Sequence, residues 1–241
     1  MNLYSSLSEN KKQFAVLVDP DKYDSKQLVD LSVIARKTMV SYFFVGGSLL
    51  SEDNLDNTIK VIKNNCQIPV IIFPGDINQI NSNADGILLL SLISGRNPDL
   101  LIGKHVTAAP FLKRSGLQIL PTGYMLIDSG RPTTASYMSN SLPIPADKDE
   151  IAVSTALAGE MLGLKLIYMD GGSGALNPIP VSMIEKVKSN ISIPVIVGGG
   201  IRTPESASER FRAGADIIVV GNAIENESSL LEKIAEIAYS F

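Results

Sequence analysis

Three apolar runs in the last third of the chain each end in a glycine-bearing turn. The turns that follow them are Gly171–Gly174, Gly198–Gly200 and Gly221–Asn222. Glycine has no Cβ, so its backbone can approach a ligand closely and adopt positive φ angles. Backbone amides in such turns bind phosphate after the last strands of parallel barrels. Tight turns alone would account for one such segment, but three in succession favour a phosphate site.

A carboxylate and a hydroxyl follow the first two apolar runs of the chain. Asp19 ends the first run, and Ser48 lies just after the second. Mg²⁺ prefers oxygen ligands and keeps several waters, so one carboxylate and one hydroxyl could hold it beside a substrate phosphate. The alternative role for Asp19 is to cap the next helix, although Asp24 or Ser25 fits that role better.

Asp170 is the acidic residue next to the glycine turns. A positioned carboxylate can deprotonate or orient a substrate hydroxyl in general base catalysis. The competing interpretation is that Asp170 only caps local amides. His105 is the one histidine and falls inside a predicted helix, so we assign it no catalytic role. Ser-His-Asp chemistry and histidine-based zinc sites are thereby excluded.

Eight short apolar runs alternate with helical patterns along the chain. Most runs are continuously apolar, which is typical of strands buried on both faces of a parallel sheet. The predicted strands are Phe14–Val18, Tyr42–Val45, Val70–Phe73, Gly86–Leu89, Ile119–Ile127, Leu166–Asp170, Val195–Val197 and Ile217–Val219. The predicted helices lie near residues 25–37, 53–65, 98–115, 149–163, 180–189, 204–213 and 228–239. This alternation predicts a barrel or a doubly wound sheet, and no internal repeat is strong enough to name.

Two observations favour a TIM-like (β/α)8 barrel that forms one domain over residues 1–241. No GxGxxG motif follows the first strand, where a dinucleotide-binding sheet would have it. The candidate residues instead end strands spread over the whole chain, as in barrel enzymes. Pro74–Ala84 is short and irregular, so we expect a modified or missing third outer helix. The polar segment Asp128–Lys148 is expected to be an active-site loop or lid.

Composition limits the classes of partner. The net charge is −4, so we expect no attraction to nucleic acid, and anions must be held by local groups. A single cysteine, Cys66, excludes a disulfide framework and a cysteine-based metal cluster. No apolar stretch is long enough to span a bilayer, and residues 1–12 are polar, without the apolar core of a signal peptide. These features predict a cytoplasmic protein.

The candidate residues also resemble those of a known family. The matching segments are Val18-Asp19-Pro20-Asp21-Lys22, Gly46-Gly47-Ser48, Phe73-Pro74-Gly75, Tyr168 to Gly174, Gly198-Gly199-Gly200-Ile201-Arg202 and Gly221-Asn222. In this order, over residues 14–239, they resemble the geranylgeranylglyceryl phosphate synthase family, which includes the bacterial PcrB-like heptaprenylglyceryl phosphate synthases. Phe73-Pro74-Gly75 and the stretch from Leu120 to Tyr124 are more similar to the archaeal-type synthases, often called group II, than to the shorter PcrB enzymes.

The resemblance implies a TIM-like barrel with a modified third outer helix and an Mg²⁺-dependent prenyltransferase. The implied reaction transfers a prenyl group from geranylgeranyl diphosphate to the C3 hydroxyl of sn-glycerol 1-phosphate, with diphosphate leaving. The resemblance assigns Mg²⁺ to Asp19 and Ser48. It assigns the glycerol phosphate to Tyr168, Met169, Asp170, Gly171, Gly172, Ser173, Gly174, Gly199, Gly200, Gly221 and Asn222. As a hypothesis, Asp170 and Tyr168 hold the hydroxyl that attacks.

Two positions depart from the family's pattern. Asp170 stands where the family commonly has a glutamate, which shortens the reach of the carboxylate by one methylene. Leu17 stands where PcrB-like members have a lysine, so that phosphate contact is absent or supplied differently.

A prenyl chain needs an apolar groove, for which Phe73, Leu88–Leu92 and Tyr124 are the candidates. The long tail predicts transient contact with a membrane surface, and the apolar outer helices predict a homo-oligomer. Two other functions stay open: another phosphate-binding barrel enzyme, such as an isomerase or synthase of histidine or thiamine biosynthesis, and a non-catalytic phosphosugar-binding or sensor barrel. The combination of Asp19, Ser48 and Asp170 argues against the non-catalytic barrel.

Overall fold

Eight parallel strands close into a barrel in the computed structural model, which describes residues 2–226 and 229–241. Each strand pairs with its neighbours in the chain, and the last strand pairs with the first. The strands are β1 Gln13–Val18, β2 Tyr42–Val45, β3 Val70–Ile72, β4 Gly86–Leu92, β5 Gln118–Leu126, β6 Leu166–Asp170, β7 Val195–Gly198 and β8 Ile217–Val220. The predicted TIM-like barrel is confirmed.

Helices on the outside carry the chain from one strand to the next. They are α1 Leu3–Leu7, α2 Ser25–Lys37, α3 Leu55–Asn65, α4 Lys104–Ser115, α5 Thr134–Ser139, α6 Asp149–Met161, α7 Val181–Asn190, α8 Pro204–Arg212, α9 Asn222–Asn226 and α10 Ser229–Tyr239. Asp24 caps α2, because its carboxylate accepts the N–H of Gln27 at 2.8 Å. Asp19 is therefore not needed as a cap. None of the described helices is long and apolar enough to cross a bilayer.

The third outer helix of the barrel is replaced by a short turn. Between β3 and β4 the chain forms only a 3-10 turn, Ile77–Gln79, which confirms the modified third helix. The helix predicted at 98–115 begins as a π-helical turn, Asp99–Gly103, and continues as α4. The segment Asp128–Lys148 contains α5 and returns to the end of β5, where Ile144 donates its N–H to the Leu126 carbonyl at 2.8 Å.

Helix α1 closes the lower end of the barrel, which is the end where the strands begin. Leu3 and Leu7 of α1 are each 1% exposed and pack among the side chains that fill the barrel interior. Ser6 bonds the Tyr42 hydroxyl at 2.7 Å, and Gln13 donates to the Ser6 carbonyl at 2.6 Å. The start of the chain, expected to be polar, is therefore amphipathic, with two leucines buried in the barrel.

Two matching braces hold the lower end of the strands. Lys63 donates to Asp85 at 2.7 Å, and Asp85 also accepts the N–H of the first residue of β3. Lys188 likewise donates to Asp216 at 2.6 Å, and Asp216 accepts the N–H of the first residue of β7. Both lysines belong to a Lys-x-Asn-x-x-Ile-Pro-Val segment. The chain thus contains an internal repeat that was not predicted from the sequence. The repeat becomes clear when each lysine is seen to bind an aspartate in the same way.

Candidate active site

A polar cavity of about 390 Å³ opens at the carboxyl ends of the strands. It is bounded by the ends of β1, β2, β6, β7 and β8 and by the turns that follow them. The predicted site residues that line it are Asp19, Ser48, Tyr168, Asp170, Gly172, Ser173, Gly174, Gly199, Gly200, Gly221 and Asn222. The barrel therefore brings the predicted metal and phosphate residues together in one cavity.

Two predicted ligand contacts do not line this cavity. Successive side chains of a strand point to opposite faces, and Met169 is buried in the core between the barrel wall and the helices. Gly171 donates its N–H to the Gly198 carbonyl at 3.0 Å. Strand β6 therefore reaches the cavity through Tyr168 and Asp170, and the assignment of Met169 and Gly171 to the ligand stays a prediction.

The carboxylate of Asp170 is held at both oxygens. Its Oδ2 accepts the Tyr124 hydroxyl at 2.5 Å, and its Oδ1 accepts the Gly172 N–H at 2.8 Å. The residue is only 7% exposed. Burial raises the pKa of Asp170, and the two hydrogen bonds oppose that rise. A carboxylate with a raised pKa is a stronger base, which suits the role proposed for Asp170.

Tyr124 was not predicted as the partner of Asp170. The strand register that brings them together pairs Tyr124 with Tyr168 and Leu126 with Asp170 across β5 and β6. A long apolar run does not show how its residues align with those of the neighbouring strand. This contact could therefore not be predicted from the sequence.

Three aromatic rings pack together beside the polar cavity, which Phe73 and Tyr168 line. The rings of Phe73 and Tyr168 are stacked with centroids 5.2 Å apart. Tyr124 meets both edge-on, at 5.9 Å from Phe73 and 5.6 Å from Tyr168. Burial raises the pKa of both tyrosines well above the ordinary value, so their hydroxyls stay protonated. The result is an aromatic surface beside the buried carboxylate.

Asp19 and the Gly47-Ser48 turn lie close together at the other side of the mouth. Asp19 Oδ1 accepts the Asp21 N–H at 3.2 Å. A Cβ added to Gly47 would lie 3.7 Å from the Asp19 carboxyl carbon. Within residues 2–226 and 229–241, no group of three or more His, Cys, Asp or Glu side chains could hold a metal ion. One carboxylate and one hydroxyl nevertheless fit Mg²⁺ when water and substrate phosphates complete its ligands.

The glycine turns pack against one another as well as facing the cavity. Gly172 and Gly199 have φ angles of +83° and +87°. A Cβ on Gly199 would lie 2.8 Å from the Gly171 nitrogen, and one on Gly172 would lie 2.5 Å from the Thr133 hydroxyl oxygen. Contact between loops, in addition to any ligand, therefore requires glycine at these two positions.

Two arginines brace the turn after β6. Arg202 donates to the carbonyls of Ala175 and Leu176. Arg131 donates to the carbonyl of Gly174. These guanidinium groups fix the shape of the turn that carries the predicted phosphate contacts.

Lys22 and Glu225 face each other across the mouth of the polar cavity, and both line it. The Lys22 ammonium lies 3.3 Å from Glu225 Oε2 and 3.8 Å from Asp19 Oδ2. The neighbouring Tyr23 hydroxyl is buried and has no hydrogen-bond partner. Burial, followed by the charges of Glu225 and Asp19, raises the pKa of Tyr23.

A second, apolar cavity of about 260 Å³ adjoins the polar one. The candidates for a prenyl groove line it: Phe73, Leu88, Leu89, Leu90, Leu92 and Tyr124. Gly47, Ser48, Leu49 and Phe73 belong to the walls of both cavities. Helix α5 contributes Met138 and Ser139 to the apolar cavity. The two cavities thus adjoin one another, one lined by charged groups and the other mainly by apolar side chains.

His105 lies along the apolar cavity and outside the polar one. Its Nε2 bonds the Leu90 carbonyl at 2.8 Å and so links α4 to β4. Beside it, Lys104 forms an ion pair of 2.9 Å with Asp76 from the turn after β3. His105 therefore positions an element of the groove, away from the polar chemistry.

Gln79 ties together the two loops that separate the cavities. Its side chain is buried, donates to the Gly47 carbonyl at 3.1 Å and accepts the Gly75 N–H at 3.0 Å. Gln79 was not predicted as part of the site. It lies in an irregular segment, where no periodicity shows which side chains point inward.

Comparison with known proteins assigns the family. The profile of the PcrB family matches residues 7–239. The chain belongs to the PcrB family. The geranylgeranylglyceryl phosphate synthase of Chitinophaga pinensis is 52% identical over 242 residues, which cover 99% of this chain and 96% of that protein. The synthase of Methanosphaera stadtmanae is 40% identical over 235 residues, which cover 98% and 96%. The resemblance is confirmed, and this PcrB-family chain is a prenyltransferase.

Solved structures agree with this assignment. A crystal structure of (S)-3-O-geranylgeranylglyceryl phosphate synthase from Thermoplasma acidophilum, in complex with the substrate sn-glycerol-1-phosphate, matches with a TM-score of 0.94. It is 32% identical, and the match covers 100% of both chains. The N-acetylmannosamine-6-phosphate 2-epimerase of Clostridium perfringens, 15% identical with a TM-score of 0.61 and 96% of each chain covered, shares only the fold.

Proposed function

We propose that the enzyme joins geranylgeranyl diphosphate to the C3 hydroxyl of sn-glycerol 1-phosphate, giving geranylgeranylglyceryl phosphate and diphosphate. The observation that carries this proposal is the pair of adjoining cavities, one polar and one apolar, with the buried Asp170 and three aromatic rings at their junction. Two observations support it: the relatives are geranylgeranylglyceryl phosphate synthases, and the Thermoplasma acidophilum enzyme binds sn-glycerol-1-phosphate.

The glycerol phosphate would occupy the polar end. Backbone amides of the turns after β6, β7 and β8 offer donors for the phosphate without adding positive side chains to an acidic protein. Asp170 would accept the hydrogen bond of the C3 hydroxyl and take its proton as the ether bond forms. Its raised pKa supports this role, because a weaker acid binds the proton more readily.

The prenyl chain would lie in the apolar cavity, with its diphosphate toward Asp19 and Ser48. The bond from the allylic carbon to the diphosphate breaks with its electron pair on the diphosphate, and the glycerol oxygen takes its place. Positive charge that develops on the allylic carbon would face Phe73, Tyr124 and Tyr168, whose rings attract cations. The same rings exclude water from the junction.

We propose Mg²⁺ as the cofactor, held by Asp19 and Ser48. When bound there, the ion would neutralise the leaving diphosphate. The protein's own part is to present one carboxylate and one hydroxyl in a turn fixed by Gln79. We further propose transient contact with a membrane surface and self-association of the chain, and the cytoplasmic location inferred from the sequence stays a prediction.

The proposal is tested by incubating the protein with sn-glycerol 1-phosphate and prenyl diphosphates of several chain lengths, followed by mass spectrometry of the product. We expect an ether product with geranylgeranyl diphosphate that requires added Mg²⁺. Asp170→Asn should reduce kcat by about 10²-fold or more, the usual contribution of a general base. Asp19→Asn should raise the Mg²⁺ concentration needed for half-maximal rate. Absence of an ether product with every donor would disprove the proposal.

A further inference from the structure

Lys22 is held between two carboxylates at the mouth of the polar cavity. Its ammonium lies 3.3 Å from Glu225 and 3.8 Å from Asp19, and the side chains of Lys22, Glu225 and Asp19 are 37%, 20% and 26% exposed. Water reaches all three groups and weakens their attraction by screening it. The ammonium can therefore exchange one anionic partner for another at little cost.

The other basic side chain of this cavity is engaged with the protein itself. Among the described residues that line the cavity, the cationic ones are Lys22 and Arg202. Arg202 directs two of its nitrogens at backbone carbonyls. Leu17 lines the same cavity and brings no charge. Lys22 is thus the side chain best placed to meet a phosphate entering between β1 and β8.

We propose that Glu225 is an internal anion that occupies Lys22 in the ligand-free protein, and that a substrate phosphate binds Lys22 by displacing it. This inference rests on the proposed function, since it concerns the same polar cavity. The chemistry recognised is a phosphate or diphosphate oxygen, for which the Glu225 carboxylate is a substitute. Glu225 therefore sets the affinity of the site for its anion by competing with it.

The surroundings of Glu225 allow this exchange. Glu225 lies on α9, whose first turn is tied back to the glycine turn after β8 by the Ile224 N–H, 2.8 Å from the Gly221 carbonyl. Release of Lys22 is thereby linked to a turn that faces the same ligand. The buried Tyr23 hydroxyl has no hydrogen-bond partner, and the charge of Glu225 acts on it. It is a donor that the displaced carboxylate can use.

The test is calorimetric titration of the full chain with sn-glycerol 1-phosphate and, separately, with inorganic diphosphate in the presence of Mg²⁺. We expect Glu225→Gln to bind at least one of them about two- to fivefold more tightly. This is the change in affinity that the loss of one exposed ion pair would produce. Lys22→Met should bind the same ligand more weakly. The double variant should behave as Lys22→Met alone, because Glu225 then has nothing to mask. The ligand that responds identifies which phosphate meets Lys22.

The matched controls are Glu9→Gln and Lys11→Met, which break an exposed ion pair of 2.5 Å after α1, where neither residue lines the cavity. They should leave both affinities unchanged, and thermal unfolding would verify that every variant is folded. If Glu225→Gln binds both ligands no more tightly than the unaltered protein, Glu225 only supports the loop and the proposal is wrong. The ether-product assay tests a different proposal. If the unaltered protein forms no ether product, the proposed function is rejected, but the titration result is not affected.

Discussion

Asp170 is the residue whose protonation state should govern the rate. Burial raises the pKa of Asp170, so the folded protein keeps the proton at pH values where an exposed aspartate has already lost it. The ionised form is the one that accepts the hydroxyl proton. The rate should therefore fall as the pH decreases through the raised pKa and be fully present above it.

Tyr124→Phe should move this acidic limb to higher pH. The hydrogen bond from Tyr124 opposes the rise in the pKa of Asp170, so its loss raises that pKa further. The measurement is kcat/KM against pH for the unaltered protein and the variant. Tyr42→Phe is the matched control, because it removes another buried hydroxyl, bonded to Ser6 at the lower end of the barrel. A limb that stays in place in Tyr124→Phe would show that Asp170 does not control the rate.

Single residues at strand ends could be predicted from the sequence, and contacts between them could not. Asp19, Ser48 and Asp170 were identifiable, because parallel strands bring their carboxyl ends to one face of a barrel. The Tyr124 contact depends on strand register, and the Lys22 contact with Glu225 depends on how α9 turns after β8. The alternation of side chains along β6 separates Met169, which is buried in the core, from Tyr168 and Asp170, which line the cavity.

At the scale of elements, the turn that replaces the third outer helix supports both cavities. A helix in this place would occupy the space where Gln79 reaches Gly47 and Gly75. Strands were the easiest elements to predict, because they are continuously apolar. Helix α1 was missed because two leucines give too short a pattern, and α5 because its polar residues resemble a loop.

Gln79→Ala should weaken this support. The change removes two part-buried hydrogen bonds, each worth about 0.5–1.5 kcal/mol of unfolding free energy. It should also raise the Mg²⁺ concentration needed for half-maximal rate, because Ser48 lies in the loop that Gln79 holds. Urea unfolding and an Mg²⁺ titration of the rate measure the two effects. Gln67→Ala, at an exposed position on the other side of β3, should change neither. Equal stability of the two variants would contradict the supporting role.

At the scale of the whole molecule, exposed apolar side chains lie on and just after α5, the helix that contributes Met138 to the apolar cavity. Tyr137 and Leu142 are 84% and 89% exposed, and Leu49 and Met138 combine exposure with contact to the groove. Apolar and aromatic side chains that project in this way favour the interface of a bilayer. The rim of the groove is therefore where we expect the membrane contact.

Tyr137→Ser combined with Leu142→Ser should reduce sedimentation of the protein with vesicles that contain prenyl diphosphate. It should lower the rate with a long prenyl donor presented in vesicles more than with a short soluble donor. Met161→Ser combined with Leu162→Ser removes a similarly exposed apolar pair at the C-terminal end of α6 and serves as the control. Equal loss of sedimentation in both double variants would show that general hydrophobicity, and not the rim, drives the contact.

The matching lysine–aspartate braces have a consequence for how the molecule arose. They lie four strands apart in an eight-stranded barrel, so they are related by half a turn about its axis. The same rotation brings the Phe73–Gly75 turn onto the Gly198–Gly200 turn. This is the relation that duplication and fusion of a four-strand ancestor produces. The turn after β7 lines the polar cavity and the equivalent turn after β3 lines the apolar one, so equivalent positions of the two halves would have diverged to form the two ends of one site.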